Sequence, residues 1–118
     1  MKRIVSLLVG VAVAAATVFA VVAQAGPTAL PTKVTVTAKD FKFTLSRRSA
    51  PHGKVTFKLV NKGPSPHDFK IAGKKTIVIK KGKTRSFTVT LAKGKTYKYI
   101  CTVPGHAAAG MKGKFKAT

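Results

Sequence analysis

The stretch Tyr97-Lys98-Tyr99-Ile100-Cys101-Thr102-Val103-Pro104-Gly105-His106-Ala107-Ala108-Ala109-Gly110-Met111-Lys112-Gly113-Lys114-Phe115 carries two patterns at once. At its ends, side chains alternate: Tyr97, Tyr99 and Cys101 share one face, and Gly113, Phe115 and, beyond the stretch, Ala117 share another. A period of two marks a half-buried β-strand. Between the two strands a thiol, an imidazole and a thioether follow one another as Cys101-x4-His106-x4-Met111. A hairpin-like return of this length brings the three side chains to one point, because the strand ends hold Cys101 and Met111 on either side of His106.

The same alternation extends back along the chain. Val34, Val36 and Ala38 interleave with Lys and Thr, then Phe41, Phe43 and Leu45, then Val55, Phe57 and Leu59. Phe69 with Ile71, the run Thr76 to Ile79, and Phe87, Val89 and Leu91 follow, so the count with the last two strands is about eight. Turn signals rich in Gly, Pro, Asn and Lys separate them: Ser49-Ala50-Pro51-His52-Gly53, Asn61-Lys62-Gly63-Pro64, Lys80-Lys81-Gly82-Lys83 and Ala92-Lys93-Gly94-Lys95. No segment after Pro31 holds a helical period over ten residues. The expected fold over residues 32–118 is an all-β, Greek-key β-sandwich.

A second imidazole is needed to complete a metal site with the Cys101 loop. His67, in Asn61-Lys62-Gly63-Pro64-Ser65-Pro66-His67-Asp68-Phe69, stands at the head of a strand after a rigid loop. His52 competes, also following a proline, but Gly53 and Lys54 after it read as a plain hairpin turn, whereas a polar and then an apolar residue follow His67. Two imidazoles and one thiolate with a weak axial thioether mark blue-copper electron-transfer sites. Zinc accepts the same nitrogens and sulfur but rarely recruits a thioether. The donor set therefore points to one copper ion held by His67, Cys101, His106 and Met111. Taken singly, Cys101 and Met111 could be core residues and His106 an exposed turn histidine; their shared spacing makes them ligands.

With these residues in view, the chain resembles the cupredoxins, the family of plastocyanin, pseudoazurin and azurin. The resemblance covers essentially all of Thr32 to Thr118. It rests on the His67 loop after an Asn-x-Gly turn, the Tyr97-x-Tyr99-x-Cys101 strand, and the Cys101-x4-His106-x4-Met111 loop running into Lys112-Gly113-Lys114-Phe115. It implies His67, Cys101 and His106 as equatorial ligands and Met111 as the axial one, in a type 1 site that shuttles single electrons and is not an enzyme. Two features depart from the family pattern. The interval from His67 to Cys101 is shorter than in plastocyanin, which implies an abbreviated side flap, and Asp68 stands where relatives commonly have Asn. The resemblance gives Asp68 the task of tying its loop to Thr102 beside Cys101. It also implies that His106 presents its edge to redox partners, within a flat patch that includes Val103, Pro104, Ala107 and Ala108.

Composition bounds the partners. The chain has 23 Lys and Arg against two acids, Asp40 and Asp68, for a formal net charge of +21. Such a field attracts acidic proteins or an anionic membrane surface and repels basic partners. The lysines alternate with Thr on the outward faces of the strands, while the aromatics take the inward set. Specific nucleic-acid binding, which draws on exposed aromatics for base stacking, is therefore not expected. The expected partners are acidic redox proteins, a cytochrome or a copper enzyme, met by a monomer. Copper delivery without electron transfer is the alternative reading, and a β-sandwich serving only as a cationic surface binder is a third.

Residues 1–25 read as a secretory signal: Lys2 and Arg3, an apolar run from Ile4 to Ala23, then Ala23-Gln24-Ala25 with small side chains at the cut. A linker over 26–31 precedes the domain. The apolar run of about twenty residues also reaches the length of a membrane helix, so an uncleaved anchor is the alternative. Either way the domain is placed outside the cytoplasm, in the periplasm, in the extracellular space or at the cell surface. A single cysteine leaves no intrachain disulfide, so an exported domain this small depends on a metal or a well-packed sheet for support. Cleavage leaves Gly26 as the first residue and, with Lys2 and Arg3 gone, a charge of +19. Intact-mass measurement on the exported protein should show the loss of residues 1–25, and the full 12.5 kDa mass would indicate a retained anchor.

Overall fold

A computed structural model of the chain describes residues 30–118, together with 10, 12 and 14–17. The cut expected after Ala25 and most of the leader and linker lie outside the described residues. Among the described residues no helix is long and apolar enough to cross a membrane.

Alternation along the domain resolves into nine strands: β1 (Thr32–Lys39), β2 (Lys42–Leu45), β3 (Ser49–Ala50), β4 (Gly53–Asn61), β5 (Lys70–Ile71), β6 (Lys74–Lys75), β7 (Thr84–Leu91), β8 (Thr96–Ile100) and β9 (Lys112–Ala117). A single helical turn, α1 (His106–Ala109), sits between β8 and β9. One sheet has the order β2-β1-β4-β7 and the other β3-β9-β8-β5-β6. Each is mixed: β1 runs parallel to β4 and β3 parallel to β9, and the other pairs are antiparallel. This is the all-β sandwich expected from the sequence.

Register aligns the inward residues in rows. Val34 lies opposite Phe57, Val36 opposite Leu59 and Ala38 opposite Asn61 across β1 and β4, while Val55 meets Val89 and Phe57 meets Phe87 across β4 and β7. Phe57 is completely buried and joins the sheets, with ring centroids 5.2 Å from Phe115, 5.4 Å from Phe69 and 5.9 Å from Phe87. Burying a side chain of this kind contributes about 1.5–3 kcal/mol, so this aromatic cluster is the main apolar tie between the layers. In the second sheet Tyr99 lies opposite Gly113, and a Cβ at residue 113 would collide with the tyrosine ring. A side chain there would have to displace that ring.

The structure corrects several details. Thr76 to Ile79 is not a strand: three successive apolar residues cannot all face inward, so Ile77 and Val78 turn outward, 61% and 51% exposed, while Thr76 and Ile79 are buried. The extra strands β3 and β6 arise where only turn signals or lysines were legible, and β3 depends on parallel pairing with β9, a partner far away in the chain. Phe41 falls in the turn before β2 rather than on the inward row with Phe43, and is 43% exposed.

The lysine faces come at a cost. Lys98 lies directly opposite Lys114, Lys39 opposite Lys42 and Lys70 opposite Lys75, and like charges facing one another across strands destabilise a sheet. Salt screens such repulsion. Denaturant unfolding should therefore show the midpoint rising from low to physiological sodium chloride, and Lys98→Thr should both stabilise the domain by a few tenths of a kcal/mol, an order-of-magnitude figure of about 0.2–1 kcal/mol per pair, and reduce that salt effect.

Candidate metal centre

The loop after β8 is closed on itself by the backbone. The N–H of Cys101 donates to the Met111 carbonyl at 3.0 Å, and the N–H of Met111 donates to the His106 carbonyl at 3.1 Å. Between them the chain makes the turn α1, entered at Gly105 with φ 80° and left at Gly110 with φ 126°. Both angles lie in the left-handed region that glycine adopts without strain. These bonds place Cys101, His106 and Met111 around one short ring of chain.

His67 comes from the opposite side. Its N–H donates to the Ile79 carbonyl at 3.1 Å and its carbonyl accepts from the Ile79 N–H at 2.8 Å, an isolated bridge that anchors the loop before β5. The loop itself is built on Asn61, fully buried at the end of β4. Its Nδ2 donates to the carbonyls of Ser65 and Ile79, both at 2.9 Å, and its Oδ1 accepts from the Gly63 N–H at 2.9 Å.

The ring atoms meet as a triangle. Nδ1 of His67 lies 3.0 Å from Nδ1 of His106, and the Cys101 sulfur lies 3.6 Å from the His106 nitrogen and 4.0 Å from that of His67. Among the described residues these three form a group able to hold a metal ion. Their separations define a point about 2.1 Å from all three atoms, the length of a metal–imidazole bond and close to that of a metal–thiolate bond. The donor set and its spacing thus fit an ion. Met111 is completely buried and joined through its backbone to Cys101 and His106, whereas His52 contacts the Thr118 carbonyl at the far end of the domain.

Burial pushes the Cys101 thiol above its ordinary pKa, with the backbone N–H groups of Asp68 and Val103 pulling the other way. A coordinating metal needs the thiolate, so metal uptake here must release a proton. Asp68, itself buried, accepts from the Thr102 N–H at 2.6 Å and from the Thr102 hydroxyl. This locks the residue after His67 to the residue after Cys101, the contact implied by the resemblance.

Sequence reasoning missed Asp40 and Phe41. Asp40 Oδ1 lies 2.8 Å from Nε2 of His67, and the Ser65 hydroxyl donates to Asp40 Oδ2 at 2.6 Å. The Ser65 bond, joined by His67, outweighs the opposing effect of burial and holds the Asp40 carboxyl below the usual carboxylate range. Phe41 sets its ring edge-on against His106, with centroids 5.0 Å apart. The one available signal was the rarity of acids: Asp40 is half of the chain's negative charge. Val103 and Ala107 are half-buried and Pro104 and Ala108 exposed around the half-buried His106.

A family model described as a Cupredoxin-like domain matches residues 11–115. The chain belongs to this family. Among solved structures it is similar to a dithionite-reduced auracyanin from the photosynthetic bacterium Roseiflexus castenholzii, with TM-score 0.64 and 18% identity over 74% of this chain and 97% of that one. It is also similar to auracyanin A, a blue copper protein from the green thermophilic bacterium Chloroflexus aurantiacus, with TM-score 0.63 and 21% identity over 75% and 100%. A copper nitrite reductase from Nitrosomonas europaea aligns with TM-score 0.59 and 19% identity over 75% of this chain and 41% of that one. No curated protein sequence matches. Family and donor set together indicate a single type 1 copper site.

Outer partners of ligands typically change metal affinity about 10–100-fold when removed. Asp68→Ala should weaken copper binding by about that factor and broaden the copper spectra, as Thr102 and the adjoining Cys101 lose their fixed position. Competition titration against a chelator measures the affinity directly.

Proposed function

We propose that this protein is an exported electron carrier in which Nδ1 of His67, Nδ1 of His106 and the Cys101 thiolate would hold copper, with the Met111 thioether as the fourth donor. The observation that carries the reading is the triangle of donors already spaced for an ion. Bound copper would supply a one-electron Cu(I)/Cu(II) couple. The protein's part is to keep the donors still, since an unchanging geometry lowers the rearrangement that accompanies electron transfer. Asp68, Asn61 and the Ile79 bridge do this for the His67 loop, and the Cys101–Met111 backbone bond does it for the other.

Four protein donors leave no open coordination position for a substrate, unlike a catalytic metal site, which favours a carrier over an enzyme. Copper delivery would favour labile donors such as exposed Met clusters, and the chain has two methionines, Met1 and Met111. Residues 1–25 act as the export signal, 26–31 as a linker and 32–118 as the working domain. Electrons pass at the face around His106, where Val103, Pro104, Ala107 and Ala108 offer small uncharged surface. Redox encounters use small, transient interfaces. The surrounding lysines steer an acidic partner, a cytochrome or copper enzyme, or hold the protein near an anionic membrane surface.

Optical and electron-spin-resonance spectra of the copper-loaded protein test the ligand set. The expected result is an intense visible thiolate-to-copper band that His67→Ala abolishes, and a variant retaining the native spectrum would overturn the assignment. The rate of exchange with an acidic cytochrome should fall as ionic strength rises. A rate indifferent to salt would remove the steering role.

A further inference from the structure

The chain has two acidic residues, and both sit at the metal centre, one against each ligand-bearing loop. Asp68 braces the backbone beside Cys101. Asp40 touches a proposed ligand itself: its Oδ1 lies 2.8 Å from Nε2 of His67, the nitrogen that faces away from the other donors. His67 is fully buried, whereas the Asp40 side chain remains 21% exposed. Three bonds fix the carboxylate, because Ser65 donates its N–H to Oδ1 at 3.2 Å and its hydroxyl to Oδ2 at 2.6 Å. Space for this arrangement depends on Gly63, where a Cβ would stand 2.6 Å from Oδ1 and 2.9 Å from the Asp40 nitrogen.

We propose that Asp40 is a positioning residue of the copper centre that also sets its reduction potential, by accepting the Nε2 proton of His67 and placing a negative charge behind that ligand. An ionised carboxylate only accepts hydrogen bonds, so Nε2 must carry the proton and Nδ1 keeps its lone pair for the metal. The tautomer that copper needs is thereby selected before the metal arrives. A carboxylate behind an imidazole also makes the ring a stronger donor. Cu(II) carries one more positive charge than Cu(I) and gains more from that electron density. Elsewhere the chain is cationic and its field favours the less charged Cu(I), so Asp40 opposes the background at the one place where it acts through a ligand.

The inference rests on copper binding at His67, and the blue band of the native protein is the control that separates failure of that reading from failure of this one. Asp40→Asn retains an oxygen that can accept from His67 while removing the charge. The variant should keep the blue band, lose Cu(II) affinity about 10–100-fold and hold Cu(I) as tightly as the native protein. Converted at about 59 mV per tenfold for one electron, the reduction potential rises by about 59–118 mV. A merely structural brace would weaken both oxidation states alike, so an unmoved potential overturns the proposal. A measurement on the native chain decides the matter independently of any variant's folding. In the diamagnetic Cu(I) form, nitrogen-15 resonance should show the His67 proton on Nε2, shifted downfield and slow to exchange. A proton exchanging freely with solvent, or one carried on Nδ1, overturns it as well.

Discussion

Two imidazole nitrogens and a thiol brought to 3.0–4.0 Å of one another form the constraint on which the rest of this domain turns. Three such groups come this close when the chain holds them, when a proton is shared between them, or when a cation draws them in. Here the chain does much of the forcing, through backbone bonds that close the Cys101–Met111 ring and pin His67 to Ile79. The sandwich beneath supplies rigid ends for both loops. Phe57, Phe69 and Phe115 join the sheets, and Asn61 carries the end of β4 directly into the His67 loop. A core of this kind fixes the frame, and hydrogen bonds from a few buried polar groups fix the site within it.

Charge is distributed with the same division. Positive charge lies on outward strand faces and turns, where water solvates it, and the cross-strand lysine pairs show that the surface is not arranged for greatest stability. Negative charge is confined to the two residues that hold the metal loops. A cationic exterior thus surrounds a site at which the two carboxylates, Asp68 buried and Asp40 partly exposed, contact the loops that carry the metal donors.

The sandwich was legible because period-two patterning survives any choice of partner strand. Val34, Phe57, Val89 and Phe115 all fall inside as their parity demands. Short pairings were not legible, since two-residue strands such as β3 and β6 exist only through a neighbour supplied by a distant part of the chain. Ile77 and Val78 misled for a related reason: apolar character predicts burial, but Thr76 and Ile79 already occupied the inward places. Around the metal centre, residues linked by local spacing could be read together. Asp40 could not, because it meets His67 from 27 residues away through the parallel pairing of β1 and β4.

By itself, then, the sequence determined an all-β domain, the Cys-His-Met loop and the preference for His67 over His52, because each follows from spacing within one segment. Tertiary structure alone decided which nitrogens face the ion, how far apart they stand, and that a carboxylate lies behind one of them. These are relations between segments that sequence distance does not encode, and they are set only when two sheets pack and carry their loops to the same end of the sandwich.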